Sequence, residues 1–66
     1  MTSAHNTVPE LIAQLKLFED GEANGDAVIE AALALLIALA QDENLKQTAW
    51  LLSLVRSRFR SEMPRP

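Results

Sequence analysis

Residues 31–40 read AALALLIALA and pass directly into QDEN at residues 41–44. A helix on the surface of a globular protein shows one apolar stripe and one polar face; ten consecutive apolar residues leave almost no polar face at all. At about 100° per residue, Ala27, Ala31, Ala34 and Ala38 fall on one narrow line flanked by Glu30 and Gln41. Val28, Ile29, Leu33, Leu35, Leu36, Ile37 and Leu39 take most of the remaining circumference. A line of small residues admits the close approach of another helix. It suits equally well a side that stays least covered, since alanine is the best helix former. Residues 27–40 make 14 positions interrupted by Glu30, whereas a membrane span needs about 20. The run therefore reads as a buried helix, and the fold turns on what covers it.

Upstream, TVPE at residues 7–10 is a helix start signal: Thr7 as N-cap, Glu10 completing a capping box, Pro9 in the first turn where its missing N–H costs nothing. Helix 1 is expected over residues 8–19, with Val8, Leu11, Ile12, Leu15 and Phe18 as its buried stripe. EDGEANGD at residues 19–26 places Gly21 to end that helix and Asn24 or Asp26 to cap the next. Helix 2 covers residues 26–41, joined to helix 1 as a hairpin by an acidic loop. QDEN is ambiguous because no Gly or Pro occurs between Asp26 and Met63. Asn44 followed by Gln47 resembles a weak capping box, and Asp42 is a rival. A break is favoured there over one long kinked helix, because an apolar helix must be covered by something that turns back. Helix 3 is expected over residues 45–60, with Leu45, Leu52, Val55 and Phe59 on its core stripe and Leu51 at the edge. Residues 1–6 and the proline-containing 62–66 read as disordered tails around one helical domain, 7–61.

Sixty-six residues without cysteine set a physical limit. A chain of about this size buries only about 60% of its unfolded surface, and small scaffolds add disulfides, a metal or self-association to compensate. Disulfides and thiolate zinc sites are excluded, and the lone His5 has no second histidine beside it. Self-association, most simply as a dimeric helical bundle, or a partner chain is the supplement expected. No targeting segment is visible at the start, and a cytoplasmic setting is expected.

The net charge of −3 is divided along the chain. Through residue 43, eight acids face Lys16; from residue 44, five bases face Glu62. Helix-end complementarity explains this better than an interaction tail. Catalysis finds no support: Ser3, Ser53, Ser57 and Ser61 lack a base, and the acids around the first turn lack a cleft. DGEANGD fails as a calcium loop because the twelfth position from Asp20 is Ala31 rather than an acid. No cofactor or metal is expected. RSRFR at residues 56–60 is the one basic cluster. It reads best as the favourable positive end of a helix, paired with acids of a neighbouring helix; three arginines on an acidic chain make a poor nucleic-acid surface, and a single Phe is a thin membrane anchor.

Trp50 and Leu54, spaced i, i+4, point away from the core stripe of helix 3, and Arg58 extends their line. Tryptophan and arginine are enriched at binding hot spots. The expectation is a non-enzymatic, all-α interaction module of bacterial-style regulator, inhibitor, docking or co-chaperone type. Trp50, Leu54, Arg58, Arg56 and Arg60 would meet a partner protein, and Ala27, Ala31, Ala34 and Ala38 would mediate self-association. The alternative is a small nucleic-acid-binding regulator using the basic third helix.

Overall fold

A computed structural model describes residues 3–63, and all regular structure among them is helical: α1 (Ser3–Glu19), α2 (Gly25–Asp42) and α3 (Lys46–Glu62). The expected tail residues 1–2 and 64–66 lie outside the described residues. The three-helix reading holds, as does the break after residue 42.

The first connection forms as expected. Gly21 adopts φ +78°, a conformation that costs a residue with a Cβ about 1–2 kcal/mol. Its N–H bonds the Phe18 carbonyl, and the Glu22 N–H bonds that of Leu17. This is the Schellman pair of bonds, which satisfies carbonyls that a helix end leaves open. The second connection repeats the device with a different residue. Asn44 adopts φ +63°, its N–H bonds the Gln41 carbonyl, and the Leu45 N–H bonds that of Ala40. Asn44 therefore ends α2 and does not cap α3, which begins after Leu45 with no side-chain cap. Asparagine tolerates the left-handed conformation better than other non-glycine residues. It thus breaks the helix where no glycine is available.

α1 starts four residues ahead of the expected Thr7 cap. The Thr7 hydroxyl donates back to the Ala4 carbonyl at 2.9 Å, and Pro9 lies inside the helix. The reason is tertiary. Ala4 is 3% exposed and its N–H bonds Asp42 Oδ2 at 3.3 Å. That contact fastens the first turn of α1 to the last turn of α2.

α1 packs on α2 and α2 on α3, while α1 and α3 do not approach each other. The result is an α-hairpin extended by a third helix: three antiparallel neighbours side by side, with α2 in the middle. The Cα envelope measures 36 × 26 × 14 Å, flattened along one axis. Its radius of gyration, 12.6 Å, exceeds the roughly 10.8 Å of a compact chain of this length.

This arrangement redistributes the core. α2 carries two buried arcs on opposite sides, Ala31 with Ala38 and Leu33 with Ile37 and Ala40. Glu30, at the edge of the second arc, reaches Arg56 and Arg60 of α3. The second arc therefore faces α3, and the alanine arc faces α1. Among the described residues Leu33 and Ile37 are the only large buried side chains; the rest of the core is alanine, at residues 4, 31, 38, 40 and 49. Of the stripe expected on α1 only Leu11 is half-buried, while Val8, Ile12, Leu15 and Phe18 are exposed. On α3 the inward positions are Ala49, Leu52, Arg56, Phe59 and Met63, and Leu45 and Val55 are exposed.

Candidate interaction surface

Three helices in a row, with the outer two apart from each other, leave two broad faces and two long edges. Helical geometry assigns the exposed residues to them, because the direction of each buried arc is known and successive residues turn by about 100°.

The outer edge of α3 carries Trp50 and Leu54, both exposed, Trp50 at 61%. Arg58, also exposed, continues their line and borders a shallow groove with Leu54, Val55, Phe59 and Glu62. These three residues stand together, pointing away from α2. Arg56 and Arg60 lie elsewhere, on the same helix but turned toward α2.

Those two arginines define the polar face. Arg56 Nε donates to Glu30 Oε1 at 3.2 Å, and Arg60 donates to the same oxygen through Nε at 3.1 Å and Nη2 at 2.5 Å. The Arg60 hydrogen bonds hold the Glu30 carboxyl below its ordinary pKa; partial burial opposes this, and Arg56 adds to the lowering. Arg60 is held more firmly in its charged form by the same contact. Thr7, Glu10 and Gln14 of α1 and Ala27, Ala31 and Ala34 of α2 line a groove on this face together with Glu30 and Arg56. Pairing of the RSRFR arginines with an acid of a neighbouring helix is as expected; that the acid is Glu30 is not given by the sequence. The signal of Glu30 is its isolation: it is the one charge on α2 between Ala27 and Gln41, placed opposite the only basic cluster.

The alanine line, expected to await another chain, is covered from within. Ala31 and Ala38 are buried against α1, and Ala27 and Ala34 are half-buried beside the groove. Small side chains let α1 come close. The bulky side of α2 is left bare in exchange: Ile29, Leu36 and Leu39 are all exposed. Val8, Ile12 and Leu15 of α1 turn to that same side of the layer, and so do Leu51 and Val55 of α3. The sequence pattern does not announce this second broad face, because stripes such as Val8, Ile12 and Leu15 have the spacing of an interior surface.

No charged residue of α2 between its first and last turns lies on the apolar face; Glu30 is on the other. Charges gather at its rim, as Glu19, Arg58 and Glu62. An apolar centre with a polar rim is the usual anatomy of a protein–protein interface. Among the described residues no helix is long and apolar enough to cross a membrane, and no group of three or more acidic, histidine or cysteine side chains could hold a metal ion.

No family model, curated protein or solved structure matches the chain.

Proposed function

We propose that the protein is a non-enzymatic helical interaction module, acting on another protein chain through exposed apolar surface. One observation carries this reading: among the described residues, three helices in a row bury only two large side chains and leave thirteen large apolar residues exposed. Domains normally close their core between two packed layers, and contiguous apolar surface beyond a few hundred Å² marks association sites. The edge formed by Trp50, Leu54 and Arg58 supplies an aromatic anchor, an aliphatic neighbour and a cation in one line, the composition of a hot spot. The acidic first half and basic third helix would orient an approaching partner, since charge complementarity acts chiefly on encounter rate and specificity. Roles such as regulator, inhibitor, docking element or co-chaperone all use such a surface.

The edge is tested by Trp50→Ala and Leu54→Ala. Both should keep the helical circular dichroism and shift unfolding by no more than about 0.5 kcal/mol, as surface substitutions do. Both should also lose a protein captured by the wild-type chain from its native extract. Unfolding of Trp50→Ala would make Trp50 part of a core, and capture indifferent to either substitution would remove the edge as a binding surface.

The nucleic-acid alternative has less support. Two of the three arginines of RSRFR are spent on Glu30, and phosphate binding needs uncommitted cations. A salt titration against generic duplex DNA decides it: affinity falling steeply with salt would revive that reading.

A further inference from the structure

Building on the reading that apolar surface here serves association, we infer that the broad apolar face is covered by a second copy of this chain. Two layers would stack face to face about a twofold axis into a six-helix assembly. Leu36 and Leu39 of α2 occupy the middle of the contact, with Ile29 beside them, Ile12 and Leu15 of α1 on one flank and Val55 of α3 on the other.

Three observations select a second copy as the occupant. The first is area. The Cα outline of 36 × 26 Å bounds this side of the molecule at about 900 Å², the scale of the roughly 800 Å² that a standard interface takes from each partner. One layer is thus matched in size by another layer of the same kind. The second is charge. An isologous contact brings each surface against itself, so a charged centre would oppose like charges. Here the centre is free of charge, and Glu30, the one acid of mid-α2, is turned to the opposite face and neutralised by α3. Homodimer interfaces are the more apolar class. The third is folding. With only Leu33 and Ile37 buried among the large side chains of the described residues, the layer needs cover whenever it is folded. A second copy is the one partner present at matching concentration whenever the chain is made, and obligate homodimers couple folding to association in this way.

The face differs from both surfaces nominated by the sequence. The alanine line is taken by α1, and the Trp50 edge remains outside the stacked layers and open to a different protein.

The test is sedimentation equilibrium of the full chain over a dilution series, with the double variant Ile29→Ala, Leu36→Ala and the single variant Trp50→Ala run alongside. Alanine preserves helix propensity, and neither side chain supports the single layer, so the double variant still folds where association is retained at high concentration. The wild-type chain should sediment at twice 7.3 kDa. The double variant should dissociate at concentrations about a hundredfold higher, and Trp50→Ala should dissociate like the wild type. A wild-type dimer unaffected by the double substitution, or weakened by Trp50→Ala instead, overturns the assignment of the face. A folded wild-type monomer at every concentration overturns the second copy. In that last case an apolar dye separates two outcomes. Dye uptake on the open face leaves the interaction-module reading standing with another partner, and no uptake overturns both.

Discussion

Ala38→Leu tests the arrangement of α2 most directly. Ala38 is 5% exposed and lies one turn before Asp42, whose carboxylate receives the Ala4 N–H. Ala4, at 3% exposure, stands on the facing side, so the two helices meet alanine against alanine. Leucine would bring three more carbon atoms into that contact, with no small neighbour left to yield except by moving α1 outward. Overpacking of this kind costs about 1–3 kcal/mol. A domain of this size holds only about 3–5 kcal/mol in its own core, so the loss is a large part of the total. At a urea slope of about 1 kcal/mol/M the midpoint should fall by about 1–3 M, or the melting temperature by about 4–8 °C for each kcal/mol. The assay is urea unfolding followed by circular dichroism at fixed protein concentration. Ala13→Leu, on the exposed side of α1, serves as a control expected to stay within about 0.5 kcal/mol. An Ala38→Leu midpoint equal to or above the wild type would refute the close α1–α2 contact and return the alanine line to solvent or to another chain.

The two helix ends make a matched pair of predictions: Gly21→Ala should destabilise by about 1–2 kcal/mol despite open space around its Cβ position, because the cost is in the backbone. Asn44→Gly should stabilise by up to about 1 kcal/mol; a neutral result at both sites in thermal melts would refute the left-handed caps. Pro9→Ala should raise stability by about 1–3 kcal/mol by restoring a helical N–H, and no gain would mean that residues 3–6 contribute nothing as helix. Acidification should release Glu30. Its folded pKa is lowered, so its contribution is complete above the unfolded carboxylate range near about 4.3 and is lost as pH falls through the folded value. The Arg56 pair, with side chains 34% and 31% exposed, belongs to the class worth a few tenths to about 1 kcal/mol. Glu30→Gln should therefore flatten the pH dependence of the urea midpoint between pH 3 and pH 5, and an unchanged slope would show that Glu30 contributes nothing to it.

Much of the candidate surface was legible before any tertiary contact was known. Trp50, Leu54 and Arg58 are placed outward by spacing alone, because a helix whose core stripe lies on one side must expose the opposite one. Glu30 was visible as the lone charge of α2 but not as a clamp, since pairing across 26 and 30 positions requires knowing which helices are neighbours. The apolar face was hidden for a related reason. Val8, Ile12 and Leu15 form an amphipathic stripe, and a stripe states that a side wants cover without stating what provides it.

The sequence by itself determined the number of helices, their approximate spans and the place of both turns. Periodicity, the chirality penalty at Gly21 and the branch point at QDEN are local effects, carried by residues within one or two turns of each other. It also determined that the chain would have little core to spare, because 66 residues without cysteine bury a small share of their surface and have no disulfide to add. Only the tertiary structure decided which side of each helix is covered. With the helices in a row, each outer helix has one neighbour and buries an arc narrower than its apolar stripe. The middle helix is approached closest where its side chains are smallest. Ala31, Ala38 and Ala40 therefore went inward beside Leu33 and Ile37, while Leu36 and Leu39 of the same run faced out, a division that hydrophobicity alone would not assign.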